Sequence, residues 1–257
     1  RQARLLAAAF ARTGLDARVS QVVFAPVARA SISDDVYRQL RDAIIGGTIE
    51  PNAPLAGERV LAEQFGVNRH AVREAIRRLE QARLVEVSHG GSTRVLSWRT
   101  HAGLELLGEL GASVEVAPAE MIRSVVEMRL AIGVDAARLA ARRISSSAAR
   151  DLADHVESLR RREPAPDLAE LGVGYDALWR MIVAASGNIA YQLADNSLVE
   201  ALHRAPELAL KLSEPEITDL ARQTELVVAI SGHDEPAAAE VARSLLTRMV
   251  AASAALV

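Results

Sequence analysis

The sequence predicts a mainly α chain: a small unit of three helices and a hairpin over about residues 31–98, a connecting segment, and an all-α antiparallel helical bundle over residues 119–257. Three observations predict it. Apolar residues recur at helical spacing through most of the 257 residues. Half of the chain is hydrophobic while aromatics make up 3 %, which favours packed Leu, Val, Ala and Ile helices over an aromatic-lined catalytic cleft. Period-two alternation is confined to one short stretch near residues 84–96.

Taken in order, residues 1–30 form an N-terminal arm or extension that is rich in arginine and poor in acid. A structural arm, an additional DNA or dimer contact, and a targeting segment are all open for it. The chain lacks an initiator methionine, so its numbering is expected to begin inside a longer chain or after a removed tag. Val36, Tyr37, Leu40, Ile44 and Ile45 then form an amphipathic helix that stops at Gly46-Gly47. A second helix covers residues 57–65, and Gly66 stands where a left-handed residue ends a helix.

The third helix is the most informative element. Val72, Ala75, Ile76 and Leu79 recur at i, i+3, i+4, i+7 and make one buried stripe. Asn68 is a good N-cap. Arg69 and Arg73, one turn apart with His70 beside them, project from the opposite face. Arginine's fork matches the O6 and N7 acceptors of guanine, so such a helix suits the major groove of DNA. A solvated face is the plain alternative, and the neighbouring sequence argues against it. Residues 84–88 and 93–96 alternate as two strands, and His89-Gly90-Gly91-Ser92 can reverse the chain between them. The prediction is an N-terminal winged helix-turn-helix DNA-binding domain followed by an all-α antiparallel helical bundle.

The run from Leu55 to Ala75 resembles the signature of the GntR family of bacterial transcription regulators, and His89-Gly90 in the wing looks like its FadR-type branch. The resemblance covers the whole domain. It implies that Arg59, Arg69, His70 and Arg73 contact DNA from the helices, and that His89 and Gly90 enter the minor groove. Ala56 and Gly57 stand where the family usually has proline and serine, so the second helix should start less firmly.

The net charge of −3 is unevenly divided. Residues 1–30 are net positive, residues 31–98 carry nine basic and nine acidic groups, and the rest is acidic. Within residues 69–94, six arginines face three glutamates, which concentrates positive charge where phosphates would lie. DNA binding should weaken as salt rises, because counterion release supplies much of the affinity. No cysteine occurs, which excludes disulfides and thiolate metal sites. No apolar run approaches the roughly 18 residues of a membrane span, so no membrane partner is expected; the lack of cysteine fits a reducing compartment, and a cytoplasmic location is expected.

Beyond the wing, residues 98–111 read as a connecting helix within a 99–118 linker. Glu120 to Arg143 reads as one long helix, and Ser145-Ser146-Ser147 caps the next, to about Arg162. Residues 163–166 are a linker. Helices are expected at 168–186, 189–212, 214–231 and 235–256, with Pro215 and Pro236 in first turns. The bundle resembles the effector-binding domain of FadR-type regulators on Glu127-Met128-Arg129, the run from Asp176 to Arg180, Ser186-Gly187-Asn188, and Ala229-Ile230 with Asp234.

Many relatives hold a divalent metal there through one aspartate and three histidines. Here the matching positions are Asp176, Arg180, Gln223 and Leu245, a set that cannot supply about four ligands. No metal and no cofactor are therefore expected. Asp176 and Arg180, at i, i+4, should form an ion pair. That pair is either structural, or Arg180 with Arg129 supplies the positive charge that metal supplies elsewhere, with Asp176 and Gln223 beside it in an effector site. The metal-free branch of the family includes acyl-CoA and fatty-acid sensors.

The expected function is a repressor of lipid and fatty-acid metabolism genes. It would be a homodimer on a palindromic operator in double-stranded DNA, with half-sites about 10 bp apart or nearer, controlled by an acyl-CoA or fatty acid. A small organic acid is the alternative effector. The competing class is an all-helical enzyme with an accessory DNA domain. It finds no Ser/His/Asp arrangement, paired carboxylates or phosphate-cradling loop to support it.

Overall fold

The computed structural model describes residues 32–88, 92–110, 117–162 and 166–254. The N-terminal arm therefore lies outside the described residues, as do His89 and Gly90. The first helix, α1 (Ile32–Ile45), buries Val36, Tyr37, Leu40, Ile44 and Ile45 and ends at the expected glycines. Gly47 takes φ 70°, a left-handed turn that a side chain would strain.

A strand that the sequence reading did not anticipate follows, β1 (Pro54–Leu55). Two residues are too few for alternation to reveal. Next come α2 (Glu58–Phe65) and α3 (Arg69–Gln81). Between them Gly66 sits at φ 64°, ψ 32°, the left-handed geometry that ends α2 and turns the chain into α3. Gly57 begins α2 with extended backbone and no side-chain cap, the weaker start expected of glycine in place of serine. The hairpin strands are β2 (Val85–Val87) and β3 (Thr93–Val95). The sheet runs β1-β3-β2, antiparallel throughout, with Leu55 and Val87 both opposite Thr93.

The connection is broken where one helix was expected. It consists of α4 (Trp98–His101), a 3-10 turn (Leu104–Leu106) and α5 (Leu107–Leu110). Ala102 and Gly103 are extended, so the helical ladder cannot run through them.

Seven helices make the bundle among the described residues: α6 (Pro118–Arg143), α7 (Ser146–Arg160), α8 (Leu168–Ala185), α9 (Ile189–His203), α10 (Pro206–Ile217), α11 (Leu220–Ser231) and α12 (Glu235–Ala254). Side-chain caps start most of them. Ser145 accepts from the Ala148 amide, Asp167 from Glu170, Asn188 from Ala190 and Tyr191, and Asp219 from Arg222. The expected 189–212 helix is two helices, because Pro206 opens α10 at its N1 position. The expected 214–231 helix begins only at Leu220, behind the Asp219 cap. Pro215 consequently falls inside α10, in its last turn, rather than in a first turn. Pro236 does lie in the first turn of α12.

Helix α6 is the axis of the bundle, packing against α8, α9, α11 and most extensively α12. Its alanines Ala136, Ala137, Ala140 and Ala141 are buried and let neighbouring helices approach closely. Buried side chains form two clusters. One runs from the winged helix through Leu106, Leu110 and Met121 to Leu198, Leu212 and Met249. The other fills the far half of the bundle around Trp179, Leu226 and Leu246.

Candidate nucleic-acid interface and bundle cavity

Helix α3 is anchored by the stripe the sequence predicts. Ala71, Val72, Ala75, Ile76 and Leu79 are buried, and the Asn68 Oδ1 accepts from the Ala71 amide at 2.9 Å. The opposite face carries Arg69, His70, Arg73 and Arg77, all exposed. Arg69 and His70 hold no hydrogen bond or ion pair among the described residues. Arg73 does: its Nε donates to Glu58 Oε1 at 2.9 Å and its Nη2 to Glu58 Oε2 at 2.8 Å. That hydrogen bond, against a small opposing effect of burial and with Arg69 and Arg77 nearby, holds the Glu58 carboxyl below its ordinary range. Arg59 pairs with Glu63 at 2.8 Å along α2.

Arg78, one position round the helix, turns inward and stacks its guanidinium 4.1 Å from the centroid of Tyr37. In the wing, the Ser88 amide donates to the Ser92 carbonyl at 2.9 Å, and the two hydroxyls meet at 2.6 Å. His89 and Gly90, assigned to the minor groove by resemblance, lie outside the described residues.

The second site is a cavity of about 200 Å3 in the bundle, walled by α6, α8, α9, α10 and α12. Its walls include Val173, Val199, Leu202, Leu210 and Ile217, with Arg129, Tyr175, Asp176, His203 and Ser213 as polar members. Arg129 Nη1 donates to Glu216 Oε2 at 2.9 Å, Tyr175 Oη donates to the same oxygen at 2.8 Å, and the Met249 amide donates to Glu216 Oε1 at 3.1 Å. Glu216 is fully buried. Burial would push the Arg129 guanidinium down, but the Glu216 carboxylate more than offsets this and keeps it charged. Burial, then the adjacent Glu216 charge, push the Tyr175 hydroxyl up. The Tyr175 and Trp179 rings meet edge-on at 6.2 Å, with Arg129 within 6 Å of both.

The four residues expected of an effector site are therefore divided. Arg129 and Asp176 line the cavity; Arg180 and Gln223 do not. The expected Asp176–Arg180 ion pair is replaced: Asp176 Oδ2 pairs with His203 Nε2 at 3.2 Å, reaching to α9 rather than along α8. Arg180 is exposed, so it supplies no charge to the cavity. Gln223 is fully buried and its Nε2 donates to the carbonyls of Glu216 and Ile217 at 3.0 and 2.9 Å, which ties α11 to the end of α10. A divalent ion does not fit this arrangement. Leu245 is a core side chain with no ligating atom, Arg180 is an exposed cation, and among the described residues no group of three or more His, Asp or Glu converges. Glu216 and Tyr175 were not singled out from sequence. The available signal was the helical spacing of Glu216 behind Leu212, which puts a glutamate on a buried stripe.

Comparisons with known proteins agree with both halves. Residues 32–95 match the family of bacterial regulatory proteins called gntR, and residues 124–248 match the FCD domain. The chain is 34 % identical over 232 residues to the HTH-type transcriptional regulator Mce2R of Mycobacterium tuberculosis, covering 86 % of this chain and 91 % of that one. It is 28 % identical over 158 residues to the fatty acid metabolism regulator protein of Yersinia pestis, covering 61 % and 63 %. The solved structure of Lar, which controls expression of the Listeria monocytogenes agr system, overlays with a TM-score of 0.56 at 15 % identity, covering 90 % of this chain and 100 % of Lar, a likeness of fold. These relatives are regulators rather than enzymes. No described helix is long and apolar enough to cross a membrane. With its arginine-faced helix behind a left-handed glycine turn and its seven-helix bundle, the chain belongs to the gntR family of bacterial regulatory proteins, as a DNA-binding transcription regulator with an FCD effector domain.

Proposed function

We propose that the protein is a homodimeric repressor that places two copies of α3 in successive major grooves of a palindromic operator, and that a fatty acid or its acyl-CoA ester in the bundle cavity controls it. The observation that carries the effector reading is the state of the buried charge. Arg129 is the cation one would assign to a compact organic acid, and it is already neutralised by Glu216. A small carboxylate entering there would have to displace a buried glutamate held by three donors, at the cost of leaving those groups unpaired.

What the cavity offers freely is hydrocarbon wall, which suits an acyl chain by burial of apolar surface. The anionic head of such a ligand would remain in solvent, since burying it unpaired is costly. The relative named for fatty acid metabolism supports the same class. Binding to the bundle would act by shifting a population of DNA-competent dimers.

The test is a titration of long-chain acyl-CoA, free long-chain fatty acid and short dicarboxylates into the protein bound to operator DNA. Release by the long-chain compounds alone is expected. A response confined to short acids overturns the lipid reading, and an increase in DNA affinity overturns repression relieved by effector. Arg69→Ala should weaken operator binding by about 1–3 kcal/mol.

A further inference from the structure

Glu58 stands in an unusual place for a DNA-binding surface. It is the first residue of α2, half-exposed, and it puts a negative charge beside Arg69, Arg73 and Arg77, where phosphates are to be approached. For general attraction to DNA this is a liability. Its geometry suggests why it is there. A guanidinium carries five N–H donors in a fixed plane. The Glu58 carboxylate takes the Nε side: Nε to Oε1 at 2.9 Å and Nη2 to Oε2 at 2.8 Å. Two parallel bonds of this kind fix both the plane and the direction of the group. They leave one N–H on Nη2 and those on Nη1 for other partners, and the end-on edge formed by one from each nitrogen is a fork that matches guanine O6 and N7.

We propose that Glu58 is a positioning residue for sequence readout: it holds Arg73 side-on so that only the end-on edge of the guanidinium is offered to a guanine in each half-site. This rests on α3 being the recognition helix. Arg69 has no such clamp, and its longer reach of conformations suits phosphate or a second base equally. A free Arg73 could swing to the sugar–phosphate backbone, where it would add affinity without information. Glu58 costs affinity and supplies discrimination.

The experiment selects from a pool of duplexes with a randomised core, using the full chain as wild type, Glu58→Ala, Glu58→Gln and Arg73→Ala, and sequences the bound DNA. Glu58 is on the surface, and the thermal midpoint of each variant checks that folding is kept. Wild type should select a symmetric motif with a guanine–cytosine pair fixed at one position per half-site. Glu58→Ala should lower preference at that position by about tenfold or more. Glu58→Gln, which keeps one acceptor, should lower it less. Binding to duplex of unrelated sequence should hold or strengthen in both, because a negative charge has gone. Arg73→Ala should lose the same position. If the Glu58 variants select the wild-type motif undiminished, or lose all DNA binding while still folded, the positioning role is overturned. If Arg73→Ala itself selects the wild-type motif unchanged, the recognition-helix reading fails first, and separately.

Discussion

The Glu109 carboxylate accepts the Tyr37 hydroxyl at 2.9 Å and Arg41 Nη1 at 2.7 Å, joining the short connecting helix α5 to the first helix of the DNA-binding domain. Tyr37 is almost wholly buried, and Arg78 of α3 stacks on its ring. On the other side α5 packs against α9, which contributes Val199, Leu202 and His203 to the cavity. Helix α3 and the cavity wall are thus each two steps from one carboxylate. Glu109→Ala leaves the buried Tyr37 hydroxyl without its acceptor and Arg41 with Asp42 alone, and should lower stability by about 1–3 kcal/mol. Denaturant titration measures it. The ratio of operator affinities with and without effector should also move toward one; an unchanged ratio would remove Glu109 from the coupling.

The Arg129–Glu216 pair is the most demanding interaction in the bundle. Glu216→Ala strands a buried guanidinium and the Tyr175 hydroxyl, and should cost about 3–5 kcal/mol. The double variant Arg129→Met with Glu216→Leu should recover most of that loss, since two apolar side chains leave no charge uncompensated. A double variant as unstable as the single one would refute this account.

The Asn68 cap can be tested by itself. Asn68→Ala removes the acceptor of the Ala71 amide at the start of α3 and should cost about 1 kcal/mol. Hydrogen exchange should quicken at the first amides of α3. Equal exchange in both proteins would mean that the turn at Gly66 positions the helix unaided.

Two aspartates should respond to pH with opposite signs. Burial tends to raise the Asp219 carboxyl, but the Arg222 amide, then Arg248, outweigh it and leave it below its ordinary value. Its stabilising effect is present above the unfolded-state value and lost as pH falls through the lower folded one. In acid, Asp219→Asn should therefore be less pH-dependent than wild type. Asp195 is raised, by burial first and by Asp176 in addition, with Arg129 and Arg180 opposing. It has no hydrogen bond or ion pair among the described residues. Its protonated form is favoured in the fold, so its contribution falls as pH rises through that raised value. Asp195→Asn should raise the unfolding midpoint near neutral pH, and a lower midpoint would contradict this assignment.

What could be read from the sequence depended on whether local pattern decided the structure. The stripe of α3, its Asn68 cap and the left-handed Gly66 are local, and each is where the spacing put it. The breaks at Gly103 and Pro206 were missed because apolar spacing continues across them. Strand β1 was missed because its only signal is the strand it pairs with. In the cavity, Arg129 was found, but its partner lies 87 residues away on another helix. Asp176 was assigned to Arg180 by helical spacing, yet His203, brought up by α9, is the residue it meets. Side-chain pairing across helices is decided by packing, and periodicity carries no record of it.

The first buried cluster runs without interruption from Val36 in α1 to Met249 in α12, so the segment the two family matches leave between them is not a seam in the packing. Opening the near half of the bundle would expose the underside of the DNA-binding helices as well. Protection against amide exchange should therefore be graded by distance from Leu110 rather than by domain. The cavity borders both clusters, through Met249 in the first and through Tyr175 and Ile217 in the second, so a ligand that tightens it should slow exchange in α1 and in α7 alike.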